Sequence, residues 1–546
     1  MSYKAAHYLQ EHLTGEVLTS VDARRYFSTD GSVFSVVPSL IVYPQDENDV
    51  RKTARFTWQL AERGRVIPVT ARGSGTDQSG AAIGSGIIMV FPAHMKRLVE
   101  LDSKNNTVVV EPGMNYGKIQ QTLHTHGRFL PPFPASMDYS TVGGAIANNS
   151  GGEKSVKYGT TKDYVKELRV VLANGEIIET RRLSKREFSK KMGLISYEGE
   201  IYRALDTLIE ENQEVLSRAR PNVSKNSAGY NIWDVKRRDG SFDLTPLLVG
   251  SQGTLGIVTE ISLKTVSYNP NTTLIAAFCD DLRIAEDIVQ ELHKLPEKPA
   301  SIELVDENLL NFIDTTNPNQ LKGLVDKPFP KLVLLVEFDN PTDRVQKKFV
   351  KSAQKILDGY EVTYKIETDE QKKEELWKIR RSTATVLAHN DGNVKALPII
   401  EDGIVPIDKL QEYLDGVYAL LKRHHLSSAI WGHAGDANLH IQPFLDLSQV
   451  GDRQKVFRLM DEYYDLVIGL GGSTSAEHND GRLRGAYLTK LYGEEMYNLF
   501  EKIKHVFDPY GILNPGVKVG VSLEEIKQLL RSEFSGQYHY EHLPHG

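Results

Sequence analysis

The residues best equipped for chemistry stand in the last third of the chain, in Trp431-Gly432-His433-Ala434-Gly435-Asp436-Ala437-Asn438-Leu439-His440. Gly, Asp and Asn between the histidines disfavour a helix and favour a turn. The apolar run Ala429-Ile430-Trp431 precedes the segment, and Ile441 and Phe444 follow it. The reading is a strand, a tight loop, and a second strand from His440. Such a loop can bring imidazoles to one point, as a divalent metal requires. Glu477-His478, downstream, supplies a carboxylate. His433, His440 and Glu477 make a ligand set and leave His478 over. Taken alone, the histidine pair is as well explained by loop hydrogen bonding.

The elements that must position these groups follow from periodicity. Leu410, Leu414, Val417 and Leu421 mark an amphipathic helix leading into the histidine segment; Phe457, Met460, Tyr464 and Val467 mark another leading into Glu477. Both candidate elements can then meet at one end of a sheet. Upstream, strands at 273–278, 300–305, 331–338 and 362–366 and helices at 282–295 and 343–357 give the order β-α-β-β-α-β. That is the ferredoxin-like order, an antiparallel sheet with its helices on one face. Residues 314–327 read as a surface loop and 396–402 as a strand. Arg380 and Lys395, judged by local sequence, are solvent-facing charges.

The first half is organised by glycine. After an irregular start come a helix over 48–64 and a strand over 66–70, then Arg72-Gly73-Ser74-Gly75-Thr76-Asp77-Gln78-Ser79-Gly80. The glycine spacing is not that of the dinucleotide fingerprint, and no helix can begin in the glycine-rich residues that follow. The loop fits a nest of backbone N–H groups around an anion, with Arg72, Ser74 and Thr76 as further donors; an unliganded glycine loop is the plainer alternative. Further small-residue tracts occur at 140–152 and 250–258. Together the tracts suit one long ligand held at several places, a flavin dinucleotide more than a mononucleotide.

Arg72-Gly73-Ser74-Gly75-Thr76, Thr141-Val142-Gly143-Gly144 and Gly253-Thr254-Leu255-Gly256-Ile257-Val258 resemble the FAD-binding domain of the vanillyl-alcohol oxidase/p-cresol methylhydroxylase superfamily. Gly432-His433-x-Gly435-Asp436-x-Asn438-Leu439-His440, Glu477-His478 and Leu513-Asn514-Pro515-Gly516 resemble the C-terminal domain of FAD-linked oxidases, among them D-lactate, D-2-hydroxyglutarate and glycolate dehydrogenases. The resemblance implies an α+β chain: an N-terminal segment (1–34), a two-part FAD-binding domain of the p-cresol methylhydroxylase type (35–268), a ferredoxin-like substrate and metal domain with a helical C-terminal portion (269–520), and a tail (521–546). It implies FAD contacts from Arg72, Gly73, Ser74, Gly75, Thr76, Gln78, Ser79 and Gly80 around the pyrophosphate. Pro134, Ser136, Thr141, Gly143, Gly144, Ala147, Asn149 and Ser150 would serve the ring, Gly256, Ile257 and Val258 the adenine end, with Asn514 besides. No histidine lies in the 72–80 loop, so the expected FAD is not covalently linked. The resemblance further implies a divalent metal, zinc in first place, on His433, His440 and Glu477; His478 as base; and Arg380, Lys395 and Gln442 on the substrate. The reaction it implies is oxidation of a D-2-hydroxy acid, D-lactate first, by hydride transfer to the flavin. D-2-hydroxyglutarate and glycolate are the alternatives, and a flavoprotein that only relays electrons is the rival of another class. Ala437 stands where a second glycine is common, and Asn479-Asp480-Gly481-Arg482-Leu483-Arg484 replaces a shorter glycine-rich continuation.

Composition narrows the rest. With 546 residues, two or three domains are expected. A net charge of -7 with no basic block argues against nucleic acid. One cysteine, Cys279, excludes a disulfide or a cysteine-ligated iron–sulfur cluster within the chain, so the electron acceptor is expected outside it, a quinone or an iron–sulfur partner. The first fifteen residues lack a signal-like apolar run. The expectation is a cytoplasmic protein, with contact at the inner face of a membrane and a homodimer both left open. His539 and His542 read as a solvated tail.

Overall fold

The computed structural model describes residues 2–381 and 392–534; the tail histidines lie outside them. The first half is built on separate sheets, as expected of a two-part domain. Leu40–Tyr43, Ile87–Val90 and Val69–Arg72 run parallel, and Glu16–Leu18 pairs antiparallel at the edge. Ile87–Val90 is buried throughout, as suits a central parallel strand covered on both faces. The second sheet is antiparallel, in the order Leu98–Asp102, Thr107–Val110, Ile257–Lys264, Val165–Val171, Ile177–Thr180. The helix expected over 48–64 spans Glu47–Ala61, started by the Asp46 side chain on Asp49 N. The start read as irregular contains a helix, Ser2–His12, besides the edge strand.

The four strands and two helices expected in the order β-α-β-β-α-β are all present, with a further helix, Glu307–Thr316, between the middle two strands. Thr363–Glu367, Thr273–Cys279, Leu332–Phe338 and Ser301–Asp306 lie side by side in that order, all antiparallel, and helices Leu282–His293 and Asp343–Leu357 pack together against one face. Ser428–His433, Asn438–Leu445 and the short Lys395–Ala396 extend the sheet beyond Ser301–Asp306. The histidine hairpin is therefore continuous with the ferredoxin-like sheet. The second hairpin strand begins at Asn438, ahead of the expected His440.

Period-2 alternation sorts the side chains. Ile275, Ala277, Ile302, Leu304, Ile430, Leu439 and Ile441 point to the core beneath the helix pair. Leu274, Ala276, Val305, Ala429 and Trp431 point to the opposite face, where Trp377 and Ile379 of helix Glu370–Arg381 cover them. By the same alternation Glu303, His433, His440 and Gln442 all belong to that second face.

Two local expectations fail. The strand expected over 396–402 ends at Ala396, and Glu401 and Asp402 lie in a buried loop. The surface loop expected over 314–327 begins inside helix Glu307–Thr316, and Leu321 and Val325 beyond it are buried. Toward its end the chain returns to the first half. Met496, Leu499, Phe500 and Ile503 of helix Glu494–Phe507 share a core with Ile201, Tyr202 and Leu205, and Ile512 and Leu513 join the core of the parallel sheet.

Candidate active site

His433 and His440 emerge on one face of the hairpin, Trp431 paired opposite His440 and His433 opposite Asn438. The loop between them is a single 3-10 turn closed by Ala437 in the left-handed region at φ 51, with its methyl in the core. The turn is thus made in a glycine-like conformation despite the alanine. Helix Val450–Gly469 and the bridge Ile404 to Ser473 bring Glu477 to the same point. Glu477 Oε1 lies 2.8 Å from His433 Nε2 and 3.6 Å from His440 Nε2. His433, His440 and Glu477 thus offer three ligand atoms close enough to one another that a divalent ion could be held among them.

Groups the sequence reading passed over surround this cluster. Glu303 Oε1 accepts from His433 Nδ1 at 2.7 Å, and Arg380 Nε donates to Glu303 Oε2 at 2.8 Å. Glu401 Oε2 accepts from His478 Nδ1 at 2.5 Å and from His440 Nδ1 at 3.3 Å, while both terminal nitrogens of Arg484 reach Glu401 Oε1 at 3.0 Å. The His440 and His478 rings stack, 4.8 Å between centroids. Lys225 Nζ donates to Glu477 Oε2 at 2.5 Å, and Gly152 N donates to the same oxygen at 3.0 Å. Gly151 admits this approach, since a Cβ there would stand 2.2 Å from Glu477 Oε2. Glu303 carried a sequence signal, a carboxylate inside an otherwise apolar strand. Lys225, in an irregular stretch, carried none.

Burial and charge set the protonation of the cluster. Burial pushes His440 down to about 4, which keeps it neutral and able to ligate. Burial also opposes charge on His433, but Glu303 and Glu477 override it and raise its pKa. For His478 the carboxylates of Glu401 and Asp402 outweigh burial and carry it up to about 9. Glu477 is held well below its usual range, burial being overcome by His433 and Lys225.

His433, His440, Glu477 and His478 open onto one cavity of about 660 Å³ that continues into the first half of the chain. Of the expected residues, Arg72, Gly73, Ser74, Gly75, Thr76, Gln78, Pro134, Ser136, Thr141, Gly143, Gly144, Ala147, Ser150, Gly256 and Val258 line it, and so do Arg380, Lys395, Gln442, His433, His440, Glu477 and His478. Arg380 is buried on the cavity wall, against its reading as a solvated helix face. The backbone N–H groups of residues 73–78 donate to no acceptor among the described residues, as an anion nest needs.

Ser79, Gly80, Asn149, Ile257 and Asn514 do not line the cavity, and their surroundings say why. Ile257 faces the core as strand partner of Val171. Asn514 works beneath the loop: it accepts from Thr70 Oγ1 at 2.9 Å and donates to Ala81 O at 2.9 Å and Gln252 O at 2.8 Å. Ser79 N and Ala81 N turn inward onto the Asp77 carboxylate. Asn149 caps a helix with φ 56 and donates to Ser227 Oγ. Arg72 also differs from expectation: its guanidinium folds beneath the loop onto Thr29 O and Ala82 O. A Cβ on Gly73 would stand 2.3 Å from Thr141 Oγ1, so this glycine is needed for the loop to meet the second tract. Gln252 ties the tracts together through Ser79 Oγ, Asn148 Oδ1 and Gly481 N.

Comparison with known proteins identifies two domains in the chain. The family model described as "FAD binding domain" matches residues 38–181, and "FAD linked oxidases, C-terminal domain" matches 269–517. The chain is 28% identical over 520 residues to a D-2-hydroxyglutarate dehydrogenase of Pantoea ananatis, covering 92% of this chain and 50% of that protein. It is 29% identical over 504 residues to glycolate oxidase subunit GlcD of Bacillus subtilis, covering 92% of each. It is 27% identical over 460 residues to a D-lactate dehydrogenase of Anaerostipes hadrus, covering 82% of this chain and 84% of that one. The chain thus spans about half the length of the D-2-hydroxyglutarate dehydrogenases it matches first. Among solved structures, p-cresol methylhydroxylase superposes with a TM-score of 0.68 at 14% identity, covering 96% of this chain and 97% of that one, a likeness of fold. Glycine loops and matched domains converge: the chain carries an FAD binding domain followed by the C-terminal domain of FAD linked oxidases, on a fold like that of p-cresol methylhydroxylase.

Proposed function

We propose that the protein oxidises a 2-hydroxy acid to the 2-oxo acid, D-lactate being the first candidate and D-2-hydroxyglutarate and glycolate the next. Relatives named for each of these activities support the class. The observation that carries the reading is the placement of His478, Arg380 and the His433–His440–Glu477 set on the wall of the cavity that the glycine loops line. An electron relay has no use for that set.

FAD, unlinked, and a divalent ion on His433, His440 and Glu477 supply a hydride acceptor and Lewis acidity toward the substrate hydroxyl when bound. The chain supplies the rest. Arg380 and Lys395 give positive charge to the substrate carboxylate, and Gln442, beside His440 on the same strand face, gives a polar contact. His478, its Nδ1 held by Glu401, offers Nε2 to take the hydroxyl proton. The carboxylates that raise His478 suit an imidazolium; with a dication held by the neighbouring ligands, their pull would be opposed and the neutral base favoured. Electrons leave to an acceptor outside the chain, a quinone or an iron–sulfur partner, since Cys279 is buried and single.

The test is anaerobic mixing of the FAD-loaded protein with D- and L-lactate, glycolate and D-2-hydroxyglutarate, with metal analysis of the same sample. Bleaching by a D-2-hydroxy acid or glycolate, abolished by a chelator that leaves the flavin bound, is the expected result. Flavin that stays oxidised with every acid in metal-replete protein defeats the proposal.

A further inference from the structure

The two carboxylates behind the histidines share an arrangement that goes beyond the hold of Glu401 on His478. Glu303 and Glu401 are both fully buried. Each spends its oxygens on a ligand of the candidate metal site and on a residue that handles substrate. Glu303 reaches His433 with Oε1 and Arg380 with Oε2. Glu401 reaches both His440 and His478 with Oε2, and its Oε1 is anchored by Arg484, itself fully buried.

We infer that Glu303 and Glu401 are positioning residues, each coupling one metal ligand to one substrate-handling residue: Glu303 joins His433 to Arg380, and Glu401 joins His440 to His478. The inference rests on the proposed 2-hydroxy-acid oxidation.

The elements explain how the coupling arises. Glu303 lies on the strand beside the first hairpin strand, with Leu304 opposite Gly432, so it shares a face with His433. Helix Glu370–Arg381 crosses that face and delivers Arg380. Glu401 lies in the buried loop beyond Lys395–Ala396, whose Gly403 and Asp402 also bond to Leu439 and Glu477. A carboxylate accepting Nδ1–H fixes the ring orientation and turns the Nε2 lone pair outward, which is the form a metal or a substrate proton requires. Because the oxygens of each carboxylate are shared, neither partner can rotate without disturbing the other.

The coupling predicts a division of labour. Glu303→Gln leaves one acceptor oxygen where two donors converge, so His433 and Arg380 can no longer both be held. Glu401→Gln likewise leaves one oxygen for His440, His478 and Arg484, so the hold on the histidine pair weakens. Both variants should bind zinc about 10–100-fold more weakly than the parent, as loss of a carboxylate behind a ligating histidine typically does. At saturating zinc, Glu303→Gln should act on KM, raising it about tenfold or more with kcat little changed, because a carboxylate clamp contributes to binding. Glu401→Gln should act on kcat, lowering it about tenfold or more with KM little changed, because an orienting partner of the base acts in the transition state.

The experiment is zinc competition against a chromophoric chelator in FAD-loaded parent and variants, the visible spectrum of the cobalt forms, and steady-state kinetics with the acid that the parent oxidises. FAD content and melting temperature report folding. If a Gln variant fails to hold FAD, Glu→Asp at the same position, which keeps the charge and shortens the reach, is read in its place. Weaker zinc binding, an altered cobalt spectrum and the KM–kcat division support the inference. Parent-like zinc affinity, or equal losses of kcat and KM in both variants, overturns it. A parent that binds zinc but oxidises no 2-hydroxy acid fails the proposed function instead, and the zinc and cobalt comparisons still decide whether the carboxylates position the ligands.

Discussion

His478 is the residue on which the proposed chemistry turns. It is the one histidine of the cluster that keeps an appreciable exposed surface, its side chain 30% accessible, whereas His433 and His440 are 5% and 6% accessible. A ligand benefits from burial, which favours a neutral imidazole; a base must face the substrate. His478→Ala leaves His433, His440 and Glu477 in place and removes no cavity-lining glycine. The variant should retain FAD and zinc and lose turnover by about a hundredfold or more, read by stopped-flow flavin reduction. Undiminished reduction would mean that the proton leaves by another route. The types and spacing of His433, His440, Glu477 and His478 were legible from sequence, because metal ligation demands those types. Lys225, Glu401 and Arg484 were not, because each acts by pairing with a residue far away in the chain, and local sequence cannot show a partner; Glu303 stood out only as a carboxylate between apolar neighbours, without its partners.

At the scale of elements, the seven-stranded sheet does the positioning. Its alternation was readable, so the strands and the β-α-β-β-α-β order were expected correctly. Its extension by the histidine hairpin was not, since strand neighbours are fixed by pairing across the sheet. One consequence concerns Asp306 at the end of Ser301–Asp306. Its carboxylate starts helix Glu307–Thr316 by accepting from Leu309 N and also accepts from Ile430 N and Tyr418 Oη. Burial raises it to about 7, against an unfolded value of about 3.9. Between those values the folded chain holds a proton that the unfolded chain has released. Its stabilising contribution is therefore complete below about pH 4 and is lost as pH rises through about 7. Asp306→Asn keeps an acceptor for both backbone N–H groups and does not titrate. The variant should gain stability over the parent between pH 4.5 and 8, on the order of a few kcal/mol, in urea unfolding followed at both pH values. A constant difference across that range would show that Asp306 is ionised throughout.

At the scale of the whole molecule, the site exists because the halves close on each other. A single stretch of the first half, 152–158, makes much of the contact: Gly152 N reaches Glu477, Ser155 Oγ reaches Asp436 at 2.6 Å, Lys157 reaches Asp339 at 2.7 Å, and Lys154 pairs with Glu337. Glu337 is almost fully buried in the strand Leu332–Phe338. Removing its cation by Lys154→Met should cost about 3–5 kcal/mol, as breaking a buried pair does. The expected signs are a lower urea midpoint and faster amide exchange at Ala300, whose N–H donates to Glu337 O. An unchanged midpoint would show that the interface does not depend on this pair. Among the described residues no helix is long and apolar enough to cross a membrane.

The sequence by itself determined the residue types of the candidate site, the glycine tracts, the order of elements and the resemblance to FAD-linked oxidases. Each of these is local: ligand types, backbone freedom and hydrophobic period are written in neighbouring residues. Only the tertiary structure decided which expected residues line the cavity. It turned Asn514 and Ile257 inward, folded Arg72 beneath its loop and moved Arg380 from a supposed solvent face to the cavity wall. It also joined each histidine to a buried carboxylate. Those outcomes depend on which surfaces meet when distant segments pack, and burial makes unpaired charges costly enough that the partners must be found across the fold.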